Sequence, residues 1–85
     1  MSATPEFDAA VSAAKSLGKT PSTADLLELY ALFKQATSGD VGGARPGMLD
    51  LKGRAKYDAW AQKRGLSTAD AQAKYVALVE RLKLA

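Results

Sequence analysis

Apolar residues recur every three or four positions in four stretches of this chain, and turn-forming residues separate the stretches. That period is the mark of amphipathic helices. The first helix is predicted from about Thr4 to Leu17. Thr4 suits the N-cap and Pro5 the first helical position. Phe7, Ala10, Val11, Ala14 and Leu17 form its apolar face, and Gly18 fits the stop. The second is predicted from Ser22 to Thr37. Ser22 followed by Asp25 is an acidic variant of the capping box. Leu26, Leu29, Tyr30 and Phe33 form its stripe, with Leu27 beside it, and Gly39 ends it.

Residues 38–52 read as an irregular connection rich in Gly, with Pro46 among them. A stretch of this length without regular structure is usually functional or folded back on itself. Met48, Leu49 and Leu51 are apolar and are expected to tuck it against the helices. A shorter third helix is predicted from Gly53 to Lys63, with Ala55, Ala59 and Trp60 facing inward and Gly65 closing it. The fourth runs from Thr68 to Leu84. Ser67 and Asp70 repeat the cap signature, and Ala71, Tyr75, Leu78, Val79 and Leu82 mark its buried face. Four amphipathic helices in 85 residues predict a single all-α domain spanning residues 1–85 and built as a bundle. The long second connection lets helices two and three run in the same direction.

Composition supports helix and narrows the chemistry. Hydrophobic residues make up 47% of the chain and aromatics 7%, with Ala and Leu dominant and Ile absent. There is no Cys and no His, which removes disulfides, thiol nucleophiles, the usual metal ligands and the usual general base. No catalytic constellation, metal site or cofactor motif is present, so the chain is not expected to be an enzyme. Gly18-Lys19-Thr20 resembles the end of a phosphate-binding loop, but Ala13 stands where that motif needs Gly, and no strand precedes it. A helix C-cap explains it. No apolar run reaches the roughly 18 residues of a membrane span, and no secretory signal pattern opens the chain. An intracellular, soluble protein is expected.

Charge adds a candidate site. The net charge is +3, and residues 45–64 hold six basic residues (Arg45, Lys52, Arg54, Lys56, Lys63, Arg64) against Asp50 and Asp58. Such an excess attracts a phosphate-bearing partner. Tyr30 and Lys34 lie one helical turn apart, as do Lys52 and Lys56 near a helix N-terminus, where anions are favoured. Two readings stay open on these residues alone: an anion site, or a solvated basic face with Tyr30 in the core. No nucleic-acid recognition motif accompanies the basic stretch, and no nucleic-acid partner is expected.

Two strings carry a more specific signal. Phe33-Lys-Gln-Ala-Thr-Ser-Gly-Asp40 and Arg45-Pro-Gly-Met-Leu-Asp-Leu-Lys52-Gly-Arg-Ala-Lys56-Tyr-Asp-Ala-Trp60 resemble the signature of the acyl-CoA-binding protein family, without a gap. Glu6-Phe7-Asp8, Pro21, Leu27, Tyr30, Tyr75 and Leu82 extend the likeness along nearly the whole chain. The resemblance implies an up-down-down-up four-helix bundle. It implies a cytosolic, non-enzymatic carrier of medium- to long-chain acyl-CoA. Position by position it implies ligand contacts at Lys15, at Tyr30, Ala31, Leu32, Phe33 and Lys34, and at Lys52, Lys56 and Tyr75. In that pattern Tyr30 and Tyr75 flank the adenine. Lys34 and Lys56 serve the phosphates, chiefly the ribose 3′-phosphate, and Lys15 and Lys52 lie at the rim. Leu26, Leu27, Leu29, Met48 and Leu49 are candidates to line the path of the acyl chain, some of them being plain core. A carrier of this kind is expected to be a monomer that makes transient contact with membranes or acyl-CoA-using enzymes. Departures from the pattern are Phe33 for Tyr, Tyr57 for Trp, and the small Gly42, Gly43 and Ala44, which leave the loop more mobile.

Overall fold

The computed structural model describes residues 4–84, and the outermost residues of the 1–85 domain reading lie outside them. Its helices are α1 (Pro5–Ala14), α2 (Thr23–Ser38), α3 (Leu51–Ala61) and α4 (Thr68–Lys83). Three of the expected caps form. The Thr4, Ser22 and Ser67 hydroxyls accept hydrogen bonds from the backbone N–H groups of Phe7, Asp25 and Asp70 at 3.0–3.1 Å. Each satisfies one of the amide donors that a helix start leaves without a partner.

Three boundaries differ from expectation by two residues or more, one of them the end of α3, at Ala61 rather than Lys63. α1 ends at Ala14 rather than Leu17, because the amides of Lys15 and Ser16 bond carbonyls three residues back and tighten the chain into a turn. Leu17 still packs at the edge of the core. α3 begins at Leu51 rather than Gly53. Asp50 is its cap, accepting from the Gly53 N–H at 2.9 Å. Gly53 is therefore part of the first turn. A Cβ there would run into the Asp50 carboxylate that caps the helix.

The core lies between α1, α2 and α4. Phe7 and Ala10 meet Leu29, Leu32 and Ala36, and these meet Ala71, Tyr75, Leu78, Val79 and Leu82. α3 contributes no buried residue, and α2 is its sole helical neighbour among the described residues. Contacts fix the directions. Thr4 and Phe7 meet Gln72 and Tyr75, so α1 runs parallel to α4. Asp25 pairs with Arg81 while Phe33 faces Tyr75, so α2 runs antiparallel to α4. Tyr30 faces Lys56 and Lys34 faces Trp60, so α3 runs parallel to α2. The result is the up-down-down-up bundle of the acyl-CoA-binding protein fold.

A parallel α2–α3 pair needs a connection that returns along the whole helix, and residues 39–50 supply it. α3 holds this loop from beneath. The Trp60 indole N–H donates to the Gly39 carbonyl at 2.8 Å, and the Tyr57 hydroxyl to that of Gly43 at 2.9 Å. Arg54 donates to the Pro46 carbonyl at 2.9 Å, and Arg45 makes a two-point ion pair with Asp58 at 2.6 and 2.9 Å. Two departures from the family pattern, Gly43 and Tyr57, thus meet each other. Val41 is the loop's buried apolar residue. Met48, Leu49 and Leu51, expected to tuck inward, are instead 77%, 100% and 74% exposed. Polar tethers to α3 set the path of the loop, and nothing draws those three side chains down.

Asp40 joins the two ends of this region. One of its carboxylate oxygens accepts from the Gly65 N–H and from Gln35 Nε2, both at 2.8 Å, and the same Gln35 amide donates to the Leu66 carbonyl. The Gly65 amide, and then Gln35, hold the Asp40 carboxyl below the usual carboxylate range. Gly39, the C-cap of α2, and Gly65, in the turn between α3 and α4, both adopt positive φ, 80° and 89°, where any other residue would be strained.

Candidate functional site

The seam between α2 and α3 carries the candidate site. Where the N-terminal halves of the two helices face one another, they leave an apolar groove. Thr23, Leu26, Leu27 and Tyr30 line it from α2, and Lys52, Ala55 and Lys56 from α3; its volume is about 270 Å³. Dedicated small-molecule sites span ~300–1,000 Å³. The groove therefore suits part of a ligand, with the remainder on open surface.

Beyond the groove the same two helices make a crossed arrangement of lysines and rings. Tyr30 and Lys34 are one turn apart on α2, and Lys56 and Trp60 are one turn apart on α3. Because the helices are parallel, each lysine reaches the other helix's aromatic residue. The Lys56 ammonium lies 5.4 Å from the Tyr30 ring centre, and that of Lys34 lies 4.9 Å from the Trp60 ring centre. Such cation–ring contacts are worth ~0.5–1 kcal/mol at exposed sites. They hold two positive charges on one side of the bundle. Neither lysine has a carboxylate partner among the described residues. An anion of two or more charges arriving here meets ammonium groups free to make charge-assisted hydrogen bonds.

The structure sorts the sequence-based candidates. Tyr30, Lys34, Lys52 and Lys56 gather along the seam, with Leu26 and Leu27 in the groove. Leu26 remains 46% exposed, as a groove wall must. Leu29 belongs to the core, and Ala31 and Leu32 are buried beneath α2, so their side chains do not reach the groove. Met48 and Leu49 stand out from the loop, away from the groove lining. Lys15 is the C-cap residue of α1, exposed, and also outside that lining.

Tyr75 is a core residue at 4% exposure. Its ring meets the edge of Phe7 at 5.2 Å and Phe33 at 6.4 Å, and burial pushes its phenol pKa up. Phe33 stacks on Phe7 at 6.2 Å and keeps one part of its ring in solvent. The accessible aromatic surface in this cluster is thus that of Phe33. Sequence reasoning missed Thr23 and Ala55 as groove residues, and the seat that Trp60 gives Lys34. The signal for the latter was present, since Lys56 and Trp60 repeat in reverse the spacing of Tyr30 and Lys34. Among the described residues no cluster of acidic or other ligating side chains could hold a metal, and no helix is long and apolar enough to cross a membrane.

Comparison with known proteins agrees with this architecture. The family model described as acyl-CoA-binding protein matches residues 4–79. An acyl-CoA-binding protein homolog of Manduca sexta is 59% identical over 83 residues, covering 96% of this chain and 92% of the relative. Acyl-CoA-binding protein homolog 1 of Caenorhabditis elegans is 57% identical over 76 residues, covering 89% and 88%. The crystal structure of Oryza sativa acyl-CoA-binding protein 2 superposes with a TM-score of 0.87 at 45% identity, covering 91% of this chain and 84% of that one. With its bundle topology, its signature residues and these relatives in agreement, the chain belongs to the acyl-CoA-binding protein family.

Proposed function

We propose that this chain binds acyl-CoA thioesters of medium to long chain, and acts as their intracellular carrier and pool former without catalysing a reaction on them. One observation carries the reading: an apolar groove and a pair of ring-seated lysines lie side by side on the α2–α3 seam. An acyl-CoA has the matching parts, an apolar tail joined to a nucleotide bearing several phosphate charges. Lys34 and Lys56 take the phosphates, chiefly the ribose 3′-phosphate, and Lys52 adds charge at the rim. Tyr30 offers a face for the adenine, a kind of contact worth ~1–3 kcal/mol per base in nucleic-acid complexes. Phe33 supplies the flat surface on the α4 side that the buried Tyr75 ring does not. Leu26, Leu27 and Ala55 cover part of the tail, each buried methylene contributing at most ~0.8 kcal/mol.

Titration calorimetry with palmitoyl-CoA, CoA and palmitate tests the reading. Palmitoyl-CoA is expected to bind more tightly than either fragment, because each fragment uses one half of the seam. Affinity over a series of thioesters should rise with chain length and then level off as added carbons remain in water. Equal affinity for CoA and palmitoyl-CoA would rule out a tail-binding groove.

A further inference from the structure

Three lysines stand along the α2–α3 seam, and two of them have a ring to lie on. The Lys34 ammonium lies over Trp60 and that of Lys56 over Tyr30. Lys52 is exposed, and among the described residues it has neither a ring nor a carboxylate partner. It lines the apolar groove all the same, with Leu26, Leu27 and Ala55.

The parallel helices order these groups by level. Trp60 stands level with Lys34, and Lys56 with Tyr30. One turn nearer the two N-termini, Lys52 stands level with Leu26 and Leu27. The seam thus passes from ring-seated ammonium groups to an apolar lining that holds an unengaged amine. An acyl-CoA laid along it, as proposed above, has its phosphates at one end and its tail at the other. The thioester is the bond that joins the tail to the remainder, so it enters where the lining begins. Lys56 is held as an ammonium by its ring and by phosphate, and an ammonium is no nucleophile. Lys52 is under no such constraint. The chain contains no Cys and no His, so neither a thiol nor an imidazole competes for the acyl group.

We infer that Lys52 is a site of self-acylation by the chain's own bound thioester. The deprotonated Lys52 Nζ attacks the thioester carbonyl carbon. The carbon–sulfur bond breaks, the sulfur leaves with the electron pair as the CoA thiolate, and the nitrogen gives its surplus proton to water. In sum, an ammonium group and a thioester become an amide, a CoA thiol and one released proton. The inference rests on the acyl-CoA reading and goes beyond it: the chain is consumed once and is not a catalyst. An acylated chain has lost a charge at the rim and carries its own occupant in the groove.

Incubation of the full chain with palmitoyl-CoA, followed by intact mass and peptide mapping, tests the inference. One palmitoyl amide is expected. Lys52 should carry it at about tenfold or more above Lys15, Lys19 or Lys74, which are exposed but lie outside the groove lining, because a bound reactant acts at a high effective concentration. The thioether analogue of palmitoyl-CoA has no transferable acyl group, and in excess it should suppress the label. Lys52→Arg keeps the charge and removes the nucleophile, so the label should disappear rather than move to Lys56. Label spread evenly over the exposed lysines, label concentrated on Lys34 or Lys56, or a Lys52→Arg chain labelled as heavily as the wild type would each overturn the inference. Calorimetry on the same chain reads binding without the covalent step. Bound ligand with no label at Lys52 overturns this inference alone, whereas no binding overturns the acyl-CoA reading with it.

Discussion

The two sides of α2 are built on different principles. Toward α1 and α4 it buries Leu29, Leu32 and Ala36 in a dry cluster with Phe7, Tyr75 and Val79. Toward α3 it presents Tyr30 and two leucines to a groove and Lys34 to the Trp60 ring, and the neighbouring helix buries nothing. The first side is held by removal of apolar surface from water. The second is held by individual contacts: the two lysine–ring pairs, the Trp60 indole bond to the Gly39 carbonyl at the α2 C-cap, and the Lys63–Glu28 ion pair. One helix thereby separates stability from recognition, residue by residue, around its circumference. A substitution should consequently affect either folding or binding, according to the side on which it falls.

Phe7→Ala is the severest way to break that separation. The ring is wholly buried between α2 and α4, and truncation of a buried aromatic costs about 3–5 kcal/mol. Small domains have on the order of 5–15 kcal/mol of stability in all. Thermal melts should show a large fall, and any remaining folded fraction should retain its binding seam.

Lys56→Ala and Lys34→Ala probe the other side. Each is expected to weaken palmitoyl-CoA binding by roughly 1–3 kcal/mol, with the melting temperature changed little. If the two share one phosphate group, their effects will not add. Calorimetry with the 3′-dephospho ligand sharpens the assignment. A variant that discriminates the two ligands as well as wild type does would remove that lysine from the 3′-phosphate.

The smallest expected effect is at Asp40, where the two sides are joined. Its carboxyl titrates below the usual aspartate range in the folded chain, chiefly through the Gly65 amide. The folded pKa is below the unfolded one, so its contribution to stability is present above the unfolded pKa and lost as pH falls through the folded one. Asp40→Asn should therefore flatten the acid limb of the stability curve below about pH 4, as read from melts across pH.

The helices were legible because their signals are local. Ser22 and Ser67 each precede an acidic residue by three positions, and both cap as expected. Asp50 caps by the same geometry, but Gly53 suggested a boundary there, because glycine usually interrupts a helix. Here it makes room for the cap. The lysines and Tyr30 of the seam were legible from one-turn spacing and from the family signature. The division of the leucines was not, since Leu26, Leu27 and Leu29 lie on neighbouring arcs of one helix. Only the placement of α3 and α4 decides which of them meets core and which meets groove. Met48 and Leu49 failed for a related reason. Apolarity predicts burial when a surface is available, and the tethers to α3 carry these two away from any.

Among the described residues α3 packs on α2 and on no other helix, which has a consequence for how the molecule opens. Detaching α3 uncovers a single seam, whereas detaching any other helix uncovers the core. The bundle therefore contains two cooperative units of unequal depth: α1, α2 and α4 as one, and α3 with its returning loop as the other. Amide protons in α3 are expected to exchange by a shallow, sub-global opening, and those of α4 only when the whole chain unfolds, as native-state hydrogen exchange would read. A ligand bound on the proposed α2–α3 site should close the shallow unit and leave the deep one as it was.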